Sequence, residues 1–459
     1  MTSSQMRAAR WVAWVAALAV AVPLYAQTAQ YPDDEYKKLI KVDTEINPLG
    51  ENPFGESVSL YDGSFSFSQT DIAVPGNGPL IQVSRQFRAD GDIILRQGNA
   101  AFGDWDIDIP KLSTITSNAG NHVGWQVNSL VYTDRCTNMR EPPEIIAGRP
   151  GSMPADPSAW WNEGYKLSVP GAGGQDVLLA SPENTLMPQI AGMNFVASTK
   201  DHWAIACLGS TANGEPGEAF LAVAPDGSKY WLNYLVYRDA RSFQIGRRMG
   251  YMLATRVEDR FGNWVTYSYG AGGKLSSIDA SDGRKVSFDY IADGSQIAQV
   301  NIVTSEGTRS WKYSYGSTAT GYTLTRVERP DGKGWDYDFQ GLGYQVKSPM
   351  QSTPSDCADP KLPEDIVVSG TVTGPSGLRG VFQARPTRHG RSGVREVCDR
   401  PIYADANTAR MFEHVPRYYN NLALVQKQLS GALAELGVEE RIVIGLPRDL
   451  CDIEIGRYP

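Results

Sequence analysis

The residue types best suited to catalysis are present, but their spacing matches no known catalytic motif. His122, His202, His389 and His414 are scattered along the chain, and none lies in the His-Glu-x-x-His pattern of a helical zinc site. The Gly-x-Ser-x-Gly turn that exposes a nucleophilic serine is missing. The glycine clusters fit neither dinucleotide-binding nor phosphate-binding spacing. The sequence therefore predicts no enzyme and no cofactor, although a carboxylate pair that is assembled in space would leave no such motif.

Three carboxylates at alternate positions, Asp104, Asp106 and Asp108, are the best candidates for a metal site. Calcium prefers roughly six to eight oxygen ligands arranged around a flexible loop. A β-strand instead places alternate side chains in a straight row, about 6.6 Å apart. The sequence therefore predicts a solvent-exposed strand face at these aspartates, and no metal site.

Paired aromatic residues could bind a sugar, because a flat ring stacks on the apolar face of a saccharide. Glycan binding would leave several rings exposed on one concave face, whereas a packing role would bury them. The sequence favours packing and keeps glycan binding as the alternative. The candidate ligand-binding residues are Trp160, Trp161, Tyr267, Tyr269, Tyr313 and Tyr315.

The tyrosine pairs belong to a repeat between Thr255 and Phe339. Two aromatic residues, one position apart, recur every 21 to 25 residues, and a period in this range indicates structural repeats. Residues at positions i and i+2 share one face of a strand, and glycines between the pairs suit the φ > 0 positions of hairpin turns. Each unit is therefore predicted to be a β-hairpin. The pairs are Tyr267-Ser268-Tyr269, Phe288-Asp289-Tyr290, Tyr313-Ser314-Tyr315 and Tyr337-Asp338-Phe339.

Two stretches resemble the Rhs family, which includes teneurins and shell components of insecticidal toxin complexes. The run from Arg256 to Tyr269, with Asp282-Gly283-Arg284 and Phe288-Asp289-Tyr290, resembles its YD repeats. The run from Tyr61 to Phe87 resembles the segment through which many members enter the repeat shell. The resemblance implies a hollow β shell and a secreted structural role.

The chain also departs from this family. It lacks the Asp-Pro-x-Gly-Arg motif that ends the core of Rhs effectors, and it lacks a distinct C-terminal toxin domain. A truncated or frame-shifted member is one hypothesis. Four or five hairpins cannot close a shell, so open sheet edges are expected to pair with another repeat protein or with missing C-terminal sequence.

Composition agrees with an all-β fold. The 459 residues include 46 Gly, 28 Pro, 22 Tyr and 13 Phe, which favours short strands and tight turns. The predicted fold is a set of repeated β-hairpins, a YD-repeat sheet forming a partial Rhs-type shell, with a preceding β region and a short C-terminal helix. A net charge of −8 argues against nucleic acid as a partner.

The N-terminus is predicted to direct export. Arg7 and Arg10 precede an apolar run from Trp11 to Val22, which is typical of a signal peptide and too short for a membrane span of about 20 residues. Cleavage is expected after Ala26, with Ala29 as the alternative, and no second apolar span follows. The mature protein is therefore predicted to be secreted, periplasmic or attached to the cell surface.

The remaining chain divides into segments by composition. The predicted order is signal peptide 1–26, polar leader 27–52, N-terminal β region 53–215, YD-repeat sheet 216–348, linker 349–363, C-terminal β section 364–429 and tail 430–459. Leu422, Val425, Leu429, Leu433 and Leu436 follow helical spacing, which predicts a helix entering the tail.

Export to an oxidising compartment permits disulfides among the five cysteines. The regional grouping favours Cys136 with Cys207 and Cys357 with Cys398, leaving Cys451 over, although connectivity cannot be deduced from sequence.

Three functions follow from these observations. The favoured one is a secreted, non-enzymatic scaffold or surface-interaction protein. The alternative is an envelope carbohydrate-binding module that uses the aromatic pairs. A secreted hydrolase is the third, and it would need clustered acids or histidines in a pocket.

Overall fold

A computed structural model describes residues 52–90, 96, 100–117, 124–127, 133–139, 164–179, 190–240, 247–304, 307–346, 362–390, 418–431 and 442–443. Within these ranges the chain is all-β, with two short 3₁₀ turns at Ala271–Gly273 and Gln340–Gly343. No helix among the residues described is long and apolar enough to cross a membrane. The predicted signal peptide, most of the leader, Trp160, Trp161, nearly all of the linker and Cys451 lie outside the described residues.

The first structural layer is a four-stranded antiparallel sheet, here called the N-terminal sheet, in the order β1-β2-β3-β4. The alternation predicted between Tyr61 and Phe87 corresponds to the β2–β3 hairpin. Large residues on one face of this hairpin are buried, which the period of two in the sequence predicts. The strands are β1 (Glu56–Val58), β2 (Phe65–Val74), β3 (Ile81–Arg88) and β4 (Asp106–Asp108).

The next eight strands close on themselves into a ring, because β12 pairs both with β11 and with β5. Its interior is filled by side chains that include Trp125, Phe220, Leu232 and Met252. The ring extends across the predicted boundary between 215 and 216. Its strands are β5 (Lys111–Ser117), β6 (Lys166–Val169), β7 (Gly173–Leu179), β8 (Phe195–Thr199), β9 (Ala204–Leu208), β10 (Ala219–Val223), β11 (Lys229–Asp239) and β12 (Arg247–Glu258).

The C-terminal end of β12 also starts a long antiparallel meander, here called the repeat sheet, which runs strand by strand to β23. Three of the four predicted aromatic pairs lie at the ends of its strands, and Tyr313 and Tyr315 lie within β17. The strands are β13 (Trp264–Tyr269), β14 (Leu275–Ala280), β15 (Lys285–Tyr290), β16 (Ile297–Thr304), β17 (Gly307–Thr318), β18 (Gly321–Glu328), β19 (Gly334–Asp338), β20 (Val368–Thr373), β21 (Arg379–Gly390), β22 (Tyr418–Ser430) and β23 (Ile442–Val443).

Five of the described hairpin turns, each with a single positive-φ glycine in a three-residue loop, share one geometry. In each, the glycine has positive φ and its N–H donates to the carbonyl three residues earlier, as Gly262 does to Asp259 at 3.1 Å. This is a type I turn followed by a left-handed residue, a common three-residue hairpin loop. The predicted turns at Gly262, Gly283 and Gly332 are confirmed. The five glycines are Gly227, Gly262, Gly283, Gly332 and Gly377.

The prediction of a helix from Leu422 onward is wrong for its first part. Leu422 and Leu429 both lie in β22, which pairs with β21 from Gly390 to Arg379. Leu422, Ala423 and Leu424 are all buried, and the pairing with β21 along the whole strand decides the structure here. Long cross-strand pairing with a buried face outweighs an accidental helical spacing. Residues 432–441 and 444–459 lie outside the described residues.

The N-terminal sheet packs directly against the inner face of the repeat sheet, and the two share one apolar core. Aromatic rings pack against one another across this core. The centroid of Phe67 lies 4.6 Å from that of Phe339 and 4.8 Å from that of Phe382, and Phe102 lies 4.6 Å from Tyr313. Where the family resemblance implied a hollow shell, this part of the inner face is therefore filled by the protein's own first strands.

Candidate functional site: the contact between the N-terminal sheet and the repeats

A buried ion pair lies at the centre of this contact. The guanidinium of Arg85, in β3, donates from Nε to Oδ2 of Asp71 at 2.8 Å, and both side chains are almost completely buried. The repeat sheet completes the group. Tyr313 donates its hydroxyl to Asp71 at 3.0 Å, and Arg85 donates to the hydroxyl of Tyr337 at 2.8 Å. Two repeats therefore bond directly to one ion pair of the N-terminal sheet.

Electrostatics hold Arg85 in its charged form. Burial alone would lower the pKa of Arg85, but the adjacent Asp71 carboxylate raises it above its usual value. Burial raises the pKa of Tyr313 and of Tyr337, so both remain neutral hydrogen-bonding groups. The guanidinium also lies over the Trp105 ring, 4.6 Å from its centroid, where the cation is attracted to the π-system. The cluster thus joins the two sheets through one buried cation and its hydrogen bonds.

A second contact joins the β2–β3 turn to a repeat turn. Arg284, from the Asp282-Gly283-Arg284 turn, donates to the carbonyl of Pro79 at 3.0 Å, and Asp282 accepts from the Asn77 amide at 2.9 Å. A Cβ atom on Gly76 would lie 2.2 Å from the Arg284 side chain, so a larger residue there would have to displace the Arg284 and Asp282 side chains from this contact. The Arg284 hydrogen bonds lower the pKa of Asp282 to about 2. The Asp-Gly-Arg turn therefore clamps the loop between the first two long strands.

The third contact overturns the exposed strand face that was predicted for the aspartates. Asp104 is fully buried and Asp108 is also buried, while only Asp106 is partly exposed. Asp104 accepts from the Thr323 hydroxyl at 2.6 Å and from the Leu324 amide at 2.8 Å. The prediction failed because a strand's alternation does not tell which face meets another sheet. No group of three metal-ligating residues occurs among the residues that the structure describes.

Asp104 predicts a pH dependence of stability, because burial raises its pKa from 3.8 to about 6. The folded state binds this proton more tightly, so the contribution of Asp104 is complete below pH 3.8 and is lost as the pH rises through about 6. Asp104→Asn should remove that loss, which is at most about 1.4 kcal/mol per pH unit. Urea unfolding at several pH values measures this. The free energy of unfolding of the variant should rise relative to that of the wild type as the pH increases from 3.8 to about 6. A difference that stays constant with pH would contradict the assignment.

The C-terminal strand completes the contact. Lys427, in β22, forms an ion pair with Glu56, in β1, at 2.6 Å, with both side chains buried. Nearby, the amide of Leu424 donates to the carbonyl of Gly63, in the β1–β2 turn, at 2.9 Å. The N-terminal sheet is therefore bonded to the repeat sheet at several places, from the turn between β14 and β15 to β22.

In two of the repeats, the second aromatic residue of the pair is a tyrosine that links its strand to the repeat before it. Tyr290 donates its hydroxyl to the carbonyl of Leu275 at 2.9 Å, and Leu275 is the residue paired with Tyr269. Tyr315 donates to Ile297 at 2.6 Å, and Ile297 is in turn paired with Tyr290. Each hydroxyl thus bonds to the residue that pairs with the tyrosine of the previous repeat. This bond fixes the register between repeats.

The same tyrosines mark β-bulges. Pairing shifts by one residue just before Tyr269, Tyr290 and Tyr315, with the additional residue on the following strand. A bulge bends the strand and increases its twist. Because the bulges recur with the repeat, they bend the sheet at regular intervals.

Removing one of these hydroxyls should have a measurable but limited effect. Tyr290→Phe keeps the ring and leaves the carbonyl of Leu275 without this donor, so the free energy of unfolding should fall by about 1 kcal/mol. Denaturant unfolding followed by circular dichroism measures it. Tyr61→Phe is the matched control, because Tyr61 is 72 % exposed, and it should change stability by less than about 0.5 kcal/mol. Equal effects in the two variants would exclude the proposed link.

The four tyrosines proposed for glycan binding all face this interior. Tyr313 is buried, and Tyr267, Tyr269 and Tyr315 are partly buried and pack against the core. Tyr269 donates to the carbonyl of Ala254 at 2.6 Å. Burial raises the pKa of Tyr267, Tyr269 and Tyr315. This arrangement is the one that the packing interpretation predicts.

A disulfide joins Cys136 to Cys207, with Cα atoms 5.5 Å apart. It ties the segment that fills the ring to β9, and Glu218 caps the same segment by accepting from the Cys136 and Thr137 amides. The pairing agrees with the regional grouping of the cysteines. Cys357 and Cys398 lie outside the described residues.

Sequence reasoning missed most of the residues that join the two sheets. Asp71 lies within the entry segment that resembles the Rhs family, but nothing local indicates that its carboxylate is buried. Arg85 interrupts the alternation of its strand, but its partner cannot be read from the neighbouring residues. The one local indication is an arginine on the face that otherwise carries large apolar residues, because a buried charge needs a buried partner.

No known family model matches the sequence, and no curated protein sequence matches it. Among solved structures, it is similar to the TcdB2–TccC3 complex, with a TM-score of 0.36 and 14% identity over 74% of this chain and 20% of that one. It is also similar to the Photorhabdus luminescens Tc holotoxin pore, with a TM-score of 0.35 and 13% identity over 76% of this chain and 19% of that one. The chain spans about a fifth of their length, and these scores support no inference about activity.

Proposed function

We propose that the protein is a secreted, non-enzymatic scaffold of the YD-repeat type that acts through its outer surface. The observation that supports this role is the use of its buried polar groups. Asp71, Arg85 and Asp104 bond to side chains of the repeat sheet. Tyr290 and Tyr315 bond to backbone carbonyls within the repeat sheet. Buried side chains that are hydrogen-bonded in this way stabilise the shape of the protein. A partner would therefore contact the outside of the repeat sheet or its edges.

The outer face of the repeat sheet suits a surface that is exposed to water. It carries cross-strand pairs of opposite charge, including Lys285 with Asp279 at 2.7 Å and Arg326 with Asp336 at 2.7 Å. Exposed pairs of this kind contribute little to stability. They keep the sheet polar on one side, as expected for an antiparallel sheet with one solvated face.

The carbohydrate-binding alternative is tested together with the scaffold. Full-length protein and Tyr269→Phe, which keeps the ring, would be applied to a glycan array, and tagged protein would be cross-linked on the cells that export it. A scaffold should bind no glycan and should be recovered outside the cell, cross-linked to another surface protein. Glycan binding that weakens in Tyr269→Phe would favour the carbohydrate module. Retention inside the cell would overturn both.

A further inference from the structure

The dipeptide Asn-Gly occurs twice in the chain, at Asn77-Gly78 and at Asn213-Gly214. This dipeptide is chemically labile, because the backbone nitrogen of glycine has no side chain beside it to hinder attack on the preceding asparagine side chain. Local sequence makes the two sites equally reactive. The structure distinguishes them.

The side chain of Asn213 is bonded at both ends. Its Nδ2 donates to the carbonyl of Leu235 at 2.8 Å, and its Oδ1 accepts from the amide of Leu235 at 3.2 Å. The adjacent backbone is held as well, since the amide of Ala212 donates to the carbonyl of Asn233 at 2.7 Å. Attack on the Asn213 side chain would require its two bonds to break first, so the fold protects this site.

The side chain of Asn77 is exposed at the tip of the β2–β3 turn. Within the part of the chain that the structure describes, neither its carboxamide nor the amide of Gly78 has a hydrogen-bond partner. The backbone amide of Asn77 is bonded to Asp282, at 2.9 Å. The carbon that would be attacked and the attacking nitrogen are therefore both free to react.

Packing against the repeat sheet requires the reactive glycine. A Cβ atom on Gly78 would lie 2.7 Å from the Cβ atom of Asn263, which is too close for any side chain. The contact that joins the β2–β3 turn to the repeat sheet thus keeps a labile dipeptide at an exposed position.

We propose that Asn77 deamidates spontaneously in the folded protein, whereas the fold protects Asn213. The Gly78 nitrogen bonds to Cγ of Asn77, the Cγ–Nδ2 bond breaks, and ammonia leaves with the proton of the Gly78 amide. A five-membered imide remains. Water then adds to one of its two carbonyls and opens the ring, which gives aspartate or isoaspartate. The reaction needs only water, so it would occur whether or not the protein is a scaffold.

Isoaspartate at this position would loosen the clamp that Arg284 forms. The Arg284 guanidinium bridges the turn, because it donates to the carbonyl of Val74 before it and to the carbonyl of Pro79 after it. Isoaspartate routes the backbone through the side chain and so adds one methylene between these two carbonyls. It also places a new carboxylate beside Asp282, and like charges repel. One contact between the N-terminal sheet and the repeat sheet would therefore weaken.

Peptide mass spectrometry tests the proposal on full-length protein incubated in mildly alkaline buffer, where the attacking amide ionises more readily. The Asn77 peptide should convert to aspartate and isoaspartate about tenfold faster than the Asn213 peptide, because two hydrogen bonds hold Asn213. In urea, where neither side chain is held, the two peptides should convert at similar rates. An unmodified Asn77 in the folded protein, equal conversion of the two sites there, or a difference that persists in urea would overturn the proposal.

Urea unfolding of fresh and aged protein tests the effect on the clamp. Ageing should lower the unfolding midpoint of the wild type. Asn77→Gln is the matched control, because its longer side chain forms the ring far more slowly, and its midpoint should not change. Arg284→Ala has no clamp to lose, so ageing should affect it less than the wild type. Equal losses on ageing in the wild type and in either variant would overturn the assigned effect.

Discussion

Asp71→Ala should lower the free energy of unfolding by about 3–5 kcal/mol, because it leaves the Arg85 guanidinium buried without its counterion. The loss should be large since Arg85 is fully buried and Tyr313 also loses its acceptor. Denaturant unfolding followed by circular dichroism and by tryptophan fluorescence measures it. Fluorescence should report the change directly, because Trp105 stacks on the same guanidinium.

A double variant separates the cost of an unpaired charge from the loss of packing. Asp71→Leu/Arg85→Leu removes both charges, and replacing a buried ion pair by apolar residues is often close to neutral. We expect this double variant to be clearly more stable than Asp71→Ala. If it is equally unstable, the ion pair stabilises the fold through more than charge neutralisation, and the assignment above is wrong.

Phe67→Ala should have an effect of similar size, about 3–5 kcal/mol, because it opens a cavity in the core shared by the two sheets. The ring lies within 5 Å of the Phe339 and Phe382 centroids, so both sheets lose contacts at once. Unfolding in guanidinium chloride, at protein concentrations too low for association, measures the loss.

Phe261→Ala is the matched control for this change. It removes the same side chain from a position that is 76 % exposed, so stability should change by less than about 0.5 kcal/mol. A small effect of Phe67→Ala would mean that the N-terminal sheet is not part of the same cooperative unit as the repeats.

The hairpins could be predicted from sequence because their causes are local. Gly262, Gly283 and Gly332 each occupy a turn position that requires positive φ. The aromatic residues at i and i+2 share a strand face, as they do in Tyr313 and Tyr315. Both signals lie within a few residues of the structure they specify.

The contact between the sheets could not be predicted in the same way. Arg85 and Tyr337 are 252 residues apart, and Asp104 and Thr323 are 219 apart. Alternation shows that Asp104 and its neighbours share a face, but it does not show what that face meets. The helical spacing at Leu422 failed for the same reason, since β21 decides the structure of β22. Long-range pairing leaves no local pattern.

The separation between Arg85 and Tyr337 also bears on how the chain folds. Contacts that close loops of more than 200 residues cost chain entropy before they are formed, so a fold that depends on them forms slowly. During synthesis, the strands that fill the core emerge first and must wait for the repeats that will cover them. Their apolar faces stay exposed over that interval, which is when such chains aggregate. The fold therefore requires protection of its own first strands until most of the chain has been made.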